Sequence, residues 1–189
     1  MLGDEKRGRV LNTLSKSGQS GFTLVELLIG VAVLAILITF AMPNLRTWTV
    51  NIQIRNAAES AQNGLQRARG EAVARNTNVE FAFLGDNTST AWEVRLPGAV
   101  DPIDSRTSKE GSVAVSRTIT PVGATTVTFN NFGLLTANSD ASATITMVEF
   151  DAVELDPNLS RELDVVIAAP NGNVRMCDPH AHPDSLTKC

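Results

Sequence analysis

The chain has 189 residues and a formal net charge of −4, long enough for one membrane-length helix and one globular domain. Acidic residues outnumber basic ones, and residues 131–189 hold three basic residues (Arg161, Arg175, Lys188) against nine acidic ones, which excludes a general phosphate-binding footprint. No glycine-rich phosphate loop and no familiar metal-ligand spacing stands out, so neither a cofactor nor an enzymatic activity is expected.

Residues 1–21 carry Lys6, Arg7, Arg9 and Lys16, and they precede the apolar run 22–42 of SGFTLVELLIGVAVLAILITFAMP, in which Glu26 is the single charge. About 20 such residues suffice for a helix to cross a bilayer. The basic excess before the run predicts a cytoplasmic N-terminus and an exported remainder. A carboxylate inside such a run costs roughly 2.5–3.5 kcal/mol near the helix centre, so it calls for a partner.

Three readings compete. A secretory signal peptide cut before Met42, with Thr39 and Ala41 as the small residues, would release a periplasmic protein; the run is longer than the usual stretch of roughly 7–15. An ordinary single-span anchor leaves Glu26 unexplained. Cleavage between Gly21 and Phe22 instead creates an ammonium group at Phe22, one helical turn from Glu26 and on the same face. That amine and the carboxylate can pair within one chain or between neighbouring chains, where low dielectric makes an unsatisfied charge costly.

Pro43 removes a hydrogen bond to the carbonyl of Thr39, which predicts a kink or local melting. Beyond it the helical pattern continues over residues 43–76: Ile54, Ala58, Ala61, Leu65, Ala68 and Ala72 form a narrow apolar stripe suited to close packing on a sheet. Arg55, Glu59, Arg67, Glu71 and Arg75 fall on other faces. From Asn78 the period changes to two. Val79, Phe81 and Phe83 alternate with Glu80 and Ala82, and Trp92, Val94 and Leu96 with Glu93 and Arg95, which reads as two half-buried strands. Residues 113–120, 125–129, 143–150 and 163–169 read as further strands, and residues 101–112 as an exposed loop. The last hairpin, VVIAAPNGNVRM, carries Asn171-Gly172, a pair suited to a tight turn. A helix followed by seven or eight antiparallel strands over residues 77–189 is an α+β domain.

The N-terminal stretch resembles the type III signal and helix of type IV pilins and type II secretion pseudopilins, matching at Gly21, Phe22, Glu26 and Pro43. That resemblance implies a leader of residues 1–21 removed by a prepilin peptidase, methylation of Phe22, a helix over 22–42 that anchors in the inner membrane and packs into a filament core, and an assembly contact through Glu26. LQRARGEAVARNTNVEF (65–81) and VVIAAPNGNVRMC (165–177) resemble the narrower GspH/FimT group of minor pilins and pseudopilins. The function implied is that of a minor type IV pilin that helps initiate pilus assembly with other minor pilins. A GspH-like pseudopilin of a type II secretion system is the nearest alternative. Other pilin or pseudopilin subunits are the partners implied, and the exported domain is expected to be periplasmic.

Cys177 and Cys189, the two cysteines, bracket DPHAHPDSLTK. They can bridge in an oxidising compartment, closing a loop worth about 3 kcal/mol, or join His180 and His182 as zinc ligands in a spacing that fits no common pattern; the resemblance favours the bridge. His180 and His182 with Asp178 or Asp184 and a serine make a third, hydrolase-like constellation that lacks an oriented nucleophile. DNA-binding competence relatives carry Gly-Arg-x-Arg in the last hairpin, whereas Gly172-Asn173-Val174-Arg175 keeps one arginine. Arg175 and Lys188 are the candidate DNA contacts, and DNA is not an expected partner.

Overall fold

The computed structural model describes residues 21–189. The stretch holding Lys6, Arg7, Arg9 and Lys16, and with it nearly all of the expected leader, lies outside the described residues. The chain divides after Ala41 into two compact units. Helix α1, Leu24–Arg75, is the only helix among the described residues, and it runs without interruption through position 43, so the local melting anticipated at Pro43 does not occur.

In the first unit every residue of α1 is exposed. The segment Leu24–Met42 has a mean hydropathy of 2.7 and none of it is buried by the chain itself, a length and composition sufficient to span a bilayer.

The second unit is built on the other half of the helix. Ile54, Ala58, Ala61, Leu65, Ala68 and Ala72 are all buried, as the stripe predicts, and Val50 and Ala57 extend it. The flanking charges pair along the helix surface: Arg55 with Glu59 at 2.7 Å, and Glu71 with both Arg67 at 3.0 Å and Arg75 at 2.7 Å. Gly64 lies where the helix packs closely on the sheet. A Cβ there would stand 2.7 Å from the Phe81 ring and 3.1 Å from the Trp92 indole. Ser60 fixes the same contact by accepting the Trp92 indole N–H at 2.9 Å.

Among the described residues nine strands follow in two antiparallel sheets, one or two more than the seven or eight that the alternation suggested. The five-stranded sheet runs β3 (Asp104–Arg106), β2 (Trp92–Arg95), β1 (Val79–Phe83), β5 (Thr126–Phe129), β6 (Leu135–Thr136). The four-stranded sheet runs β4 (Ser116–Thr120), β7 (Met147–Asp151), β8 (Leu163–Ala168), β9 (Asn173–Cys177). Helix and both sheets share one core, in which Phe81, Phe129, Phe150, Leu65, Val127 and Val165 are fully buried, and Phe83 meets Phe150 across the sheets at 6.3 Å.

Several sequence expectations are corrected. The segment 101–112 is not all loop, because β3 pairs there with β2 through Val94↔Asp104 and Trp92↔Arg106. The two-residue strand β6 falls in a stretch whose alternation is too short to read. β1 is buried on both faces rather than half-buried. Its outer face is covered by residues 137–144: the Ser139 N–H donates to the Glu80 carboxylate at 3.3 Å, and Thr128 Oγ1 donates to Asn138 Oδ1 at 2.8 Å. In the last hairpin four residues separate Ala168 from its partner Asn173, and Gly172 (φ 64°) is the member with positive φ, so the turn is longer than an Asn-Gly two-residue loop.

Candidate functional site

Helix α1 starts on a reciprocal cap. Thr23 precedes the helix, and its N–H and hydroxyl both donate to Glu26 Oε2 at 2.9 Å, while the Glu26 N–H donates to Thr23 Oγ1 at 3.2 Å. This is the Thr-x-x-Glu capping box, which satisfies two backbone N–H groups that a helix start otherwise leaves unpaired. The sequence reasoning missed it, although Thr23-Leu24-Val25-Glu26 spells it. It also changes the premise drawn from the sequence: in the uncut chain Glu26 already has a local partner, so the need for a distant cation is smaller. Gly21 and Phe22 lie just before the helix, both exposed and without regular structure, and among the described residues nothing beyond the adjoining chain lies within 4 Å of where a Gly21 side chain would begin.

Beyond the membrane-length segment, Leu45 and Trp48 remain exposed on the helix. In the second unit Trp48 and Ile52 border a groove of about 750 Å³ whose far wall includes Leu159, Leu163 and Met176. The groove is held at its edges by the Asn51 side chain, which donates to the Leu159 carbonyl and accepts from the Arg161 N–H, both at 2.9 Å.

At the carboxyl end Cys177, the last residue of β9, is bonded to Cys189, with the two Cα atoms 5.1 Å apart. The closed loop folds back on the strand end through the Asp178 N–H to the Thr187 carbonyl at 2.7 Å. The bridge removes two of the four ligands of the zinc reading. The histidines separate as well, His180 Nε2 lying 3.3 Å from Glu162 and His182 Nδ1 3.4 Å from Asp184. Ser185 Oγ pairs with Thr187 Oγ1 rather than with an imidazole, so the hydrolase constellation does not assemble around it. Arg175 and Lys188 are exposed, and among the described residues neither forms an ion pair. Arg175 stands opposite Val166, on the same side of β9 as Cys177, whose cross-strand partner is Asp164.

A buried cation went unread in the sequence. Arg117, on β4, is 3% exposed and has no carboxylate in salt-bridge contact among the described residues; its guanidinium sits 4.7 Å over the Phe83 ring and donates to the Gly85 carbonyl at 2.9 Å. Burial lowers its pKa to about 10, with Asp86 opposing the shift. Arg117 alternates in step with Ile119 on the buried face of β4, and it is the tertiary fold that brings Phe83 beneath it.

An exposed apolar helix of membrane length, capped at its start and continued into a helix that seats on two antiparallel sheets, defines an α+β protein of the pilin-like class. Residues 57–172, more than half of the chain, match the family described as type II transport protein GspH, and residues 16–42 match the prokaryotic N-terminal methylation motif. The chain belongs to the GspH family of pilin-like proteins. Two crystal structures of the type IV minor pilin FimU of Pseudomonas aeruginosa are similar to it at 18% and 17% identity, covering 69% and 77% of this chain and 98% of each FimU chain, with TM-scores of 0.47 and 0.49. The minor pseudopilin EpsH of the Vibrio cholerae type 2 secretion system is similar at 13% identity over 68% of this chain and 99% of its own, with a TM-score of 0.46.

Proposed function

We propose that this protein is a minor pilin that helps initiate type IV pilus assembly, anchored in the inner membrane until it is incorporated. The observation that carries the reading is the segment Leu24–Met42, which is apolar apart from Glu26 and Thr39 and is buried nowhere by its own chain. Such a surface is stable only in lipid or against other apolar helices, and a subunit that passes from one to the other meets both conditions. A prepilin peptidase would cut between Gly21 and Phe22, and the new Phe22 amine would be methylated. The carboxylate of Glu26, held by Thr23 before the cut, would then exchange that local cap for the amine of a neighbouring subunit. The GspH family and the methylation motif support this reading.

Intact-mass analysis of the protein from cells with an active prepilin peptidase tests the processing step. The expected mass is that of a chain beginning at Phe22 with one added methyl; a chain beginning at Met42, or an uncut chain, would overturn the proposal. Deleting the gene and counting surface pili tests the role: loss of pili restored by the wild-type gene supports initiation. Normal piliation with loss of protein secretion favours the second reading, a pseudopilin of a type II secretion system, which the family's own description supports.

A further inference from the structure

The outer face of the four-stranded sheet carries a row of residues fixed by register: Thr118 opposite Glu149, Glu149 opposite Asp164, Asp164 opposite Cys177. Glu162, two residues before Asp164, joins the same face, and one carboxylate oxygen each from Glu149, Glu162 and Asp164 lie within 4.8 Å of one another. Like charges placed directly opposite in a sheet repel, so this arrangement needs a compensating group.

The protein supplies little of it. Asp164 is 5% exposed, and its Oδ1 has no hydrogen-bond partner. Its Oδ2 lies 3.4 Å from Cys189 Sγ, but that sulfur is in the disulfide and has no proton to give. A buried carboxylate without a single donor is expensive. Among the described residues Glu149 has no donor either, and Glu162 meets only His180, at 3.3 Å. Asp151, on the neighbouring position of β7, shows the contrast: its Oδ1 accepts from the Ala152 N–H and from the Ser160 hydroxyl. Asp178 adds a further negative field at Asp164. Burial first and neighbouring carboxylates second push both Glu149 and Asp164 above the usual carboxylate range.

We propose that Glu149, Glu162 and Asp164 bind a divalent cation of the calcium class. The three ligands are hard oxygens, which calcium prefers, and opposite ligands of one calcium ion stand about 4.6–5.2 Å apart when each lies at about 2.3–2.6 Å. The observed spacing falls inside that diameter. Asp164 supplies the buried ligand, and Glu149 and Glu162, both partly exposed, leave the outer positions to water, which calcium's flexible coordination of 6–8 oxygens accepts. Zinc is less well matched, because the nearby sulfurs are tied up in the bridge and the imidazole of His180 is already engaged with Glu162. The ion would join β7 to β8 and, through Asp164, lie under the disulfide-closed tail.

The experiment uses the full-length protein in detergent, stripped with a chelator and titrated with calcium chloride alone, read by calorimetry and by thermal unfolding. Saturable binding near one ion per chain is expected, with Tm rising by about 3–6 °C at ten times Kd. Glu149→Gln and Asp164→Asn should each reduce calcium affinity at least tenfold, and each should raise Tm in chelator because one repelling charge is gone. Asp184→Asn, an exposed carboxylate on the same tail, should leave both readings unchanged. Absence of calcium binding, an equal shift with magnesium at the same concentration, or undiminished binding in Glu149→Gln would each overturn the site. If Asp164→Asn does not fold, Glu149→Gln carries the test alone, because Glu149 lies on the open side of the cluster.

Discussion

The two halves of helix α1 solve opposite problems. Over residues 24–42 leucines and isoleucines face outward on every side, with Leu27 64% and Leu28 61% exposed, whereas in the second half the apolar residues contract to a stripe in which Ile54 and Leu65 are wholly buried. The first half is apolar all round because its surroundings lie outside the chain; the second is apolar on one face because the chain supplies its own cover. One helix thus carries both the surface for assembly and the spine of the folded domain, and substitutions should separate the two roles.

The largest effect is expected at Glu26. Glu26→Val removes a charge from the membrane-length segment, so insertion should hold or improve. If the carboxylate meets a neighbour's Phe22 amine, the variant strands that amine, and one-sided loss of a buried pair costs about 3–5 kcal/mol. The expected outcome is a stable, inserted subunit with fewer surface pili and weaker co-purification with other pilins. Wild-type incorporation at equal protein level would assign Glu26 to the Thr23 cap alone.

Leu65→Ala should destabilise the folded domain by about 2–5 kcal/mol through a core cavity, measured by thermal or denaturant unfolding. Leu34→Ala, equally apolar but 55% exposed, should change the same measurement by less than about 0.5 kcal/mol. Similar losses at both positions would erase the distinction between the halves.

Gly64→Ala tests a close approach of helix and sheet. The added methyl meets the Phe81 ring at 2.7 Å and the Trp92 indole, itself hydrogen-bonded to Ser60. Overpacking of this kind costs about 1–3 kcal/mol, partly offset by the better helix propensity of alanine. A stabilised variant would show that the contact yields easily.

The smallest effect belongs to the solvated side of the second half. The hydrogen bond from Arg75, and the charges of Arg67 and Arg75, hold the Glu71 carboxyl below its usual range. A carboxylate lowered in the folded state contributes stability above its unfolded pKa and loses it as the pH falls through the folded value. Glu71→Gln should therefore cost about 0.5–1 kcal/mol at pH 7, the worth of two helix-surface pairs, and the gap to wild type should close as the pH falls below the usual carboxylate range. A gap that persists in acid would place the effect in packing rather than charge.

Much of the α+β architecture was legible because it rests on local chemistry. The apolar run, the alternation of the long strands and the 3.6-residue stripe are patterns along the chain, and each side chain that made the stripe is buried. The Thr23–Glu26 cap was equally local and was passed over because Glu26 was weighed as an intramembrane charge rather than as the third residue of a helix start. What only the tertiary structure decided involves cover and register. Glu80 reads as a solvent-facing residue of a half-buried strand, yet it is 2% exposed because a segment nearly 60 positions away lies over it and donates Ser139 N–H. Arg117 is buried because Phe83 comes beneath it. Glu149, Glu162 and Asp164 converge because β7 and β8 pair in one register, and a slip of a single residue would turn the β7 carboxylate to the opposite face. Sequence period reports which faces a segment offers; which distant segment covers or opposes each face follows from long-range pairing, and that determines where charge is buried.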